Sequence, residues 1–421
     1  MKKHRLKHFD LDVYQETLSN GLLVNIVPKK GNNIYVTFIT KYGSFDNVFI
    51  PYGKKDFYEA PMGVAHFLEH KVFEQPDGED PFAFYTRNGA DANASTSYIR
   101  TCYLFSGPDS FHENINYLLD FVQAPYFTDE NVEKEKGIIE QEIKMYDDMP
   151  FWRLFEATLK NTFCNHPLRY PIAGTVETIS KITKEDLYTC YNTFYHPSNM
   201  FLTVVGNVDP EETMKCIRDN QSKKDYEPRD KIILKEIEEP DEVVKEKEII
   251  PFDVEIPKLA IAYKINIGNY DINKVKDYLS IYFNIKLDST SLLREKLKKE
   301  NAITGGFGID VIDAGNHILC AVNTESKEPE YVIEQVDTEI KTKKITETEL
   351  NRKKKTMKSG CIYQSDSVFS ITSNINNNIL RLGKVIFDEY EWVDSLNIEE
   401  MKDILANISF DEKSVTILKK S

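Results

Sequence analysis

A chain of 421 residues with 41% hydrophobic and 29% charged residues has the composition of a globular protein and is long enough for two domains. Its 53 Lys and Arg against 68 Asp and Glu give a formal charge of −15, which repels polyanions and anionic lipid headgroups, so neither nucleic acid nor a membrane is expected as a partner. No apolar run could serve as a signal-peptide core or a membrane span, and the six cysteines are widely spaced, so we expect a soluble cytoplasmic protein with reduced thiols.

The first half of the chain alternates between strand-like and helix-like segments. Strands are expected at residues 21–28 and 32–43, where apolar residues are dense or alternate with polar ones. Residues 93–107 are rich in Ser, Thr, Tyr and Ile and predict one strand. Helices are predicted at residues 63–74, 81–88, 110–123, 128–163 with an interruption near Pro150, and 181–195, and a strand at residues 200–208 closes this half.

The second half repeats the first in outline. Strands are expected at residues 258–268, 308–315, 317–325 and 414–420, with helices between them, and two helical segments echo segments of the first half. Residues 226–248 are polar and charged with two prolines, which is typical of a linker. We therefore predict an α+β fold of two tandem duplicated domains, residues 1–225 and 249–421, each an antiparallel sheet with helices packed on one face.

The pentapeptide His66-Phe67-Leu68-Glu69-His70 carries the clearest chemical signal. On a helix, positions i and i+4 lie on one face, so the imidazoles of His66 and His70 can converge on one metal ion with Glu69 beside them. A bound Zn²⁺ lowers the pKa of its water toward about 7 and polarises a carbonyl, and a neighbouring carboxylate then takes the proton. The motif predicts a zinc site in the first domain with Glu69 as general base.

A third metal ligand is expected from the helix that contains Glu135 and Glu142. Seven residues make almost two turns, so these two carboxylates face the same way, and one can ligate the metal while the other supports the site. Glu133 and Glu140 are interpreted as solvated charges on the same helix. The histidines without ligand spacing are interpreted as surface or packing residues: His112, His166, His196 and His317.

The motif HFLEH, followed about 70 residues later by EKGIIEQE, resembles the inverzincin peptidases of the family of pitrilysin, insulin-degrading enzyme and the mitochondrial processing peptidase. The resemblance covers nearly the whole chain. Further matching stretches are Gly89-Ala90 with Asn93-Ala94-Ser95-Thr96-Ser97, His166-Pro167 with Gly174-Thr175, and Asn199-Met200 running into Gly206-Asn207-Val208-Asp209.

The resemblance implies a role for each candidate residue of the first domain. It makes His66, His70 and Glu142 the zinc ligands, Glu69 the general base, and Glu135 a residue that supports the ligands. It also implies that the strand at Asn93 and Ala94 pairs with the substrate backbone by β-augmentation. The implied activity is that of a zinc metalloendopeptidase that cleaves short or unfolded peptides inside a closed chamber.

The second half departs from the family pattern. Active relatives carry an Arg and a Tyr seven residues apart that bind the substrate carbonyl; here Arg294 matches the Arg, but Asn301 stands where the Tyr is expected. A solvated helix charge is the alternative interpretation of Arg294, because KLKKE follows soon after it.

The family chamber is a clamshell of four α+β units, of which this chain offers two. We therefore expect a heterodimer with a zinc-less sister subunit that supplies the intact Arg/Tyr pair, and a homodimer is the alternative. A different class of function is also open: a non-catalytic or dedicated maturation or assembly subunit of the same fold, acting in peptide maturation or elongation-factor modification.

Overall fold

The computed structural model describes residues 1–227 and 229–420. Pro228, inside the predicted linker, and Ser421, the end of the predicted second domain, lie outside the described residues. Contacts divide the chain into two compact units, and each unit is assembled from three separate segments. Unit 1 comprises residues 1–143, 172–235 and 358–393, and unit 2 comprises residues 144–171, 236–357 and those from 394 to the end of the described chain.

The strands belong to one large sheet in each unit, apart from a short two-stranded ladder of β5 and β6. In chain order they are β1 (Lys2–Leu6), β2 (Leu11–Thr17), β3 (Leu23–Pro28), β4 (Ile34–Thr40), β5 (Val48–Phe49), β6 (Tyr58–Glu59), β7 (Asp91–Thr96), β8 (Thr101–Gly107), β9 (Met200–Gly206), β10 (Lys247–Pro251), β11 (Lys258–Asn266), β12 (Gly308–Ala314), β13 (His317–Glu325) and β14 (Lys413–Lys419).

The helices vary from one turn to five turns, and among the described residues none has the length and apolar composition that crossing a bilayer requires. In chain order they are α1 (Val64–Val72), α2 (Pro81–Arg87), α3 (Phe111–Val122), α4 (Asp129–Asp147), α5 (Pro150–Thr162), α6 (Val176–Ile179), α7 (Lys184–Phe194), α8 (Pro210–Gln221), α9 (Ile272–Leu287), α10 (Leu292–Lys299), α11 (Pro329–Lys341), α12 (Glu347–Gln364), α13 (Val368–Leu382), α14 (Glu389–Ser395) and α15 (Ile398–Asn407).

The sheet of unit 1 has seven strands in the order β1-β2-β3-β9-β4-β8-β7. Strands β3 and β9 run parallel, with Leu23 opposite Phe201, and the other neighbouring strands run antiparallel. Strand β7 ends the sheet on one side, and within residues 1–227 and 229–420 it pairs only with β8. Its outer edge therefore presents backbone groups that a further strand could pair with.

Helices cover both faces of this sheet, because successive residues of a strand point to opposite sides. On one face, Val36 and Phe38 belong to a core that also contains residues of α1, α3 and α7. On the other face, Ile39 belongs to a second core with Ile371 and Ile375 of α13. The predicted α+β class is confirmed, and the structure adds a helix layer on the second face of unit 1.

Unit 2 repeats the arrangement of unit 1. Its sheet has the order β10-β14-β11-β13-β12, with β10 and β14 parallel and the other neighbours antiparallel. The five strands β3-β9-β4-β8-β7 of unit 1 have the same order and the same parallel pair at the corresponding place. The predicted duplication of one α+β unit is confirmed, with one parallel pair in each otherwise antiparallel sheet.

Two local predictions differ from the structure. Residues 93–107 form two strands, β7 and β8, joined by a turn in which the Ser97 amide donates to the Arg100 carbonyl. The single predicted strand was wrong because strand-forming residues run through the turn and no Gly or Pro marks it. Strands β1 and β2 were not predicted at all, since polar side chains outnumber apolar ones in LDVYQET and KKHRL.

The predicted linear division of the chain also differs from the two contact-defined units. Residues 144–171 belong to unit 2, because α5 packs on β11 and β14, with Leu154 in a small core beside Ala260 and Leu418. Residues 358–393 belong to unit 1, because α13 packs on β4 and β9. Helices α5 and α13 follow α4 and α12, the two segments whose sequences echo each other, so each half of the sequence contributes a helix to the sheet of the other half.

Residues in the middle of the predicted linker make specific contacts in each unit. In unit 1, Leu234 forms a β-bridge with Phe49. In unit 2, Glu239 is 3% exposed at its side chain and accepts hydrogen bonds from the backbone N–H groups of residues 164–166 at 2.7–2.8 Å and from Lys264 Nζ at 2.5 Å. A charged segment that looks like a solvated spacer thus includes a buried ion pair, which composition does not reveal.

The packing of α13 generates a prediction for unit 1. Replacing the fully buried Ile375 by Ala should lower the free energy of unfolding by about 2–5 kcal/mol, because it leaves a cavity between helix and sheet. Urea-induced unfolding measures the loss, and faster amide exchange in β4 and β9 locates it. Asn377→Ala, at an exposed position of the same helix, is the matched control and should cost less than about 0.5 kcal/mol. Equal effects of the two changes would contradict the packing described.

Candidate metal centre

Helix α1 presents the histidine motif from a buried position in unit 1. It begins after Gly63, whose φ of 91° lies in the left-handed region, and a Cβ at this position would come within 2.5 Å of the Ala173 carbonyl oxygen. Phe67 and Leu68 are fully buried in the core of the unit. The backbone of the loop at Ala173 and these two side chains fix the rotation of the helix, and His66 and His70 lie on the other side of it.

Helix α4 carries the two predicted carboxylates to the same place. Ile139 is fully buried and anchors the helix in the core of unit 1. Glu135 and Glu142, four residues before and three residues after it, both reach the histidines: Glu135 Oε1 lies 2.9 Å from His70 Nδ1, and Glu142 Oε2 lies 3.6 Å from His70 Nε2. The two carboxylates thus contact different nitrogens of one imidazole, which separates their roles.

Three donor atoms, one each from His66, His70 and Glu142, lie within 4.8 Å of one another. Glu142 Oε2 is 3.7 Å from His66 Nε2 and 3.6 Å from His70 Nε2, too long for hydrogen bonds. Two ligands of one tetrahedral zinc ion with bonds of about 2.0–2.1 Å stand roughly 3.3–3.4 Å apart. The separations are therefore close to those of ligands that share an ion.

The environment of His66 also fits a metal ligand. Its Nδ1 is buried and has no hydrogen-bond partner in the described part of the chain. Burial, helped by the charge of His70, lowers the pKa of His66 to about 4. The imidazole is therefore neutral near pH 7, and neutral imidazole is the form that binds a metal ion. Two imidazoles and a carboxylate are a donor set that zinc commonly has in catalytic sites.

Glu135 fixes the orientation of His70 by a hydrogen bond to its Nδ1. At the neutral imidazole, His70 Nδ1–H donates to Glu135 Oε1, which leaves Nε2 free to bind a metal. Burial acts to raise the pKa of Glu135, but the hydrogen bond and charge of His70, together with Lys71, outweigh it and lower the pKa. For His70, burial acts to lower the pKa, and the hydrogen bond and charge of Glu135 outweigh it and raise the pKa.

Lys71 is a buried partner of Glu135. Its side chain is 1% exposed, and its Nζ donates to Glu135 Oε2 at 3.4 Å and to Glu74. A buried ammonium group is tolerated only when carboxylates compensate its charge. Lys71 therefore holds Glu135 as a carboxylate directly behind the His70 imidazole.

Glu69, the predicted general base, lies one turn from His66 on α1 and is 8% exposed. Its Oε2 accepts a hydrogen bond of 2.6 Å from Thr96 Oγ1 at the end of β7. Burial raises the pKa of Glu69, and the hydrogen bond from Thr96 opposes the rise. A carboxylate with a raised pKa is a stronger base, and its orientation is fixed by the strand beside it.

The predicted substrate-binding residues Asn93 and Ala94 lie on β7, the edge strand that also carries Thr96. Along this strand the residues alternate, with Asn93 exposed and Ala94 and Thr96 half-buried. Asn93 Oδ1 accepts the N–H of Ala94 at 2.8 Å. Without a bound substrate, the backbone amide of Ala94 is therefore hydrogen-bonded to the Asn93 side chain.

Arg294 and Asn301 belong to unit 2, whereas the residues that meet around His66 and His70 belong to unit 1. Helix α10 is capped by Ser291, whose Oγ accepts the Arg294 N–H at 3.2 Å. Asn301 follows the end of this helix with φ of 57°, in the left-handed conformation that Asn adopts more readily than Tyr. The residue at the expected Tyr position thus ends a helix.

The site has two residues that the sequence analysis missed, Lys71 and Thr96. Lys71 directly follows the motif and has the composition of a solvated charge, so only burial distinguishes it. Thr96 shares the half-buried side of β7 with Ala94 at a spacing of two, and a prediction of one continuous strand over residues 93–107 hides this signal.

Comparison with known proteins agrees with this geometry. A family model described as "Insulinase (Peptidase family M16)" matches residues 47–176, which include every residue of the metal centre. A second model, described as "Peptidase M16 inactive domain", matches residues 181–357, which include Arg294. Together these stretches make up most of the chain.

Relatives and solved structures extend the likeness to nearly all of the chain. "Uncharacterized zinc protease YmfH" of Bacillus subtilis strain 168 is 44% identical over 329 residues, 77% of this chain and 76% of that protein. An "Uncharacterized zinc protease" of Rickettsia felis is 25% identical over 90% of this chain and 88% of its own length. The crystal structure of a putative M16-like peptidase from Alicyclobacillus acidocaldarius superposes with a TM-score of 0.92 at 32% identity, covering 98% of this chain and 99% of that one. The resemblance first indicated by HFLEH and EKGIIEQE is confirmed, and the chain belongs to peptidase family M16, the insulinase family.

Proposed function

We propose that this protein is a zinc metalloendopeptidase that cleaves short or unfolded peptides. The observation that carries the proposal is the convergence of donor atoms from His66, His70 and Glu142 within 4.8 Å, with the carboxylate of Glu69 on the same helix as the two histidines. Names of relatives such as the zinc protease of Bacillus subtilis support the same activity. A purely structural subunit would not need a base held next to a set of metal ligands.

The division of work among the residues follows from their positions. A zinc ion held by His66, His70 and Glu142 would supply Lewis acidity, which activates water and polarises the scissile carbonyl. Glu69 takes the proton of the attacking water and returns it to the leaving amine. Thr96 orients Glu69 through its hydrogen bond, and Glu135 keeps His70 in the tautomer that leaves Nε2 free.

The edge of β7 is the surface that a substrate would use. An extended peptide that pairs with this strand forms backbone hydrogen bonds without regard to its sequence, by β-augmentation. Asn93 would give up its bond to the Ala94 amide when the peptide takes that place. Because Thr96 on the same strand bonds to Glu69, pairing at β7 aligns the substrate with the general base.

We further propose that full activity requires a second chain. Asn301 occupies the position of the expected Tyr and ends helix α10, so this chain alone lacks that hydrogen-bond donor for the substrate carbonyl. A zinc-less sister subunit with an intact Arg/Tyr pair would provide it. Arg294 itself stays a predicted substrate-binding residue.

Zinc binding tests the ligand assignment. The purified chain should bind one zinc ion, and His70→Ala should weaken binding by more than about 100-fold, since losing even an outer partner of a ligand costs about 10–100-fold. Elemental analysis gives the stoichiometry and competition with a chelator gives the affinity. His112→Ala, at an exposed position of α3, is the control and should bind zinc normally. Full retention of zinc in His70→Ala would rule out this site.

A second measurement tests the base. Glu69→Gln should keep zinc but lower the hydrolysis rate of fluorogenic peptides by about 10²–10⁴-fold, because the amide fits the same space and cannot accept a proton. Glu130→Gln, exposed on α4, removes the same charge elsewhere and should be without effect. If the Glu69 variant hydrolyses peptides within tenfold of the unmodified chain, another group is the base.

The partner proposal has its own test. The isolated chain should be a weak peptidase, and a zinc-less chain with an Arg and a Tyr seven residues apart should raise its activity by about 10²-fold or more, the usual contribution of an oxyanion donor. Changing that Tyr to Phe should remove most of the gain while the complex, followed by size exclusion, stays intact. A fully active dimer of this chain alone, unaffected by Arg294→Ala, would show that no such partner is needed.

A further inference from the structure

A cavity of about 680 Å³ opens in unit 1 and shares no lining residue with the metal centre. The end of β4, the loop at residues 50–54, the C-terminal end of α7 with the turn after it, and residues 229–234 enclose it. This volume is within the range of small-molecule sites, about 300–1,000 Å³. The cavity is therefore large enough for a metabolite-sized ligand.

The lining carries an excess of positive charge. Four cationic side chains line the cavity, those of Lys41, Lys54, Arg229 and Lys231, against the two carboxyl groups of Asp46 and Asp230. Within residues 1–227 and 229–420, none of the four cations lies within 4 Å of a carboxylate oxygen. In a chain with a net charge of −15, cations left unpaired in one concave site are unusual.

The positive charges of the lining affect the pKa of Lys41. Burial and the nearby charge of Lys231 together lower the pKa of Lys41. Burial raises the pKa of Asp46 to about 7, so that carboxyl group is only partly ionised near neutral pH and neutralises little of the positive charge. The cations therefore repel one another, and an anion from outside the chain would relieve the repulsion.

The guanidinium group of Arg229 is held in an orientation that suits binding of an anion. Its guanidinium group lies over the ring of Tyr52 at 3.5 Å from the ring centre, and its Nη1 donates to the Asn192 carbonyl at 2.5 Å. Stacking and one hydrogen bond fix the plane of the guanidinium, and its other N–H donors have no partner in the part of the chain that the structure describes. A planar fork of this kind binds phosphate oxygens in pairs.

His196 also lines the cavity. The residue is 4% exposed, and its Nδ1 accepts hydrogen bonds from Ser198, from the backbone N–H at 3.3 Å and from Oγ at 2.8 Å. Burial, with the charge of Arg229, lowers the pKa of His196 to about 4, and the backbone of Glu227 opposes this. The neutral ring therefore adds no charge to the lining, and its buried Nε2 lies out of reach of a ligand in the cavity.

We propose that this cavity binds a small molecule that carries a phosphate group. A phosphate monoester carries a charge of about −1.5 to −2 near neutral pH, which matches several unpaired cations better than a carboxylate of charge −1 does. The fixed guanidinium of Arg229 supplies directed donors for its oxygens. Tyr52, Ile233 and Leu234, exposed by 62%, 56% and 46%, provide an apolar surface for the rest of the ligand.

Isothermal titration of the full chain with phenyl phosphate and with benzoate tests the proposal, because the two probes share a ring and differ in charge. Phenyl phosphate should bind at least about tenfold more tightly than benzoate, the typical difference for an added charge-assisted hydrogen bond. The binding should be the same before and after zinc is removed with a chelator. This comparison separates the cavity from phosphate binding at the metal centre.

Arg229→Met and Lys41→Met should each weaken phenyl phosphate binding by about tenfold or more. Lys30→Met, with the same charge change at an exposed position outside the cavity, should leave it unchanged. Thermal unfolding checks that each variant is folded. If Arg229→Met or Lys41→Met has a lowered unfolding temperature, Lys231→Met, at an exposed position of the lining, takes its place.

Three results would overturn the proposal. The first is the absence of saturable phenyl phosphate binding tighter than about 1 mM. The second is loss of binding when zinc is removed, which would assign the phosphate to the metal centre. The third is an equal loss in Lys30→Met, which would show a general response to net charge.

Discussion

The contact between Lys71, Glu135 and His70 is the constraint on which the rest of the candidate metal centre depends. A lysine that is 1% exposed can be accommodated in the core only beside carboxylates, and Glu135 of α4 is one of the two that it reaches. The same carboxylate accepts the Nδ1–H of His70, so α1 and α4 are joined at the point where His66, His70 and Glu142 converge. Packing of the two helices and alignment of the ligands are therefore one requirement.

Two carboxyl groups close to His70 differ because their surroundings differ. Glu135 lies between a histidine and a buried ammonium group, which keep its pKa low in spite of burial. Glu69 has a hydroxyl as its hydrogen-bond partner, and burial prevails and raises its pKa. Opposite environments for neighbouring acids are a common way to separate a permanently ionised group from one that exchanges protons. Here the separation matches the proposed roles of supporting residue and general base.

The sequence was sufficient where a function depends on spacing within one element. Two histidines four residues apart and two glutamates seven residues apart predicted the residues that meet in the structure, because helical geometry is the same in every protein. Thr96 and Lys71 were missed because their importance comes from contacts between elements. The discontinuous units were missed because no local pattern shows onto which sheet a helix packs.

The exchange of helices between the two halves has a consequence for how the chain is made. The second core of unit 1 needs α13, whose residues 368–382 leave the ribosome long after the sheet that they cover. The sheet of unit 2 needs β14, residues 413–419, which lies between β10 and β11 rather than at an edge. Neither unit can be completed during most of synthesis, so apolar strand surfaces such as that of Ile39 and Phe201 stay uncovered in the nascent chain. The cores of unit 1 therefore cannot be complete before residues 368–382 are synthesised, and the sheet of unit 2 cannot be complete before residues 413–419 are synthesised.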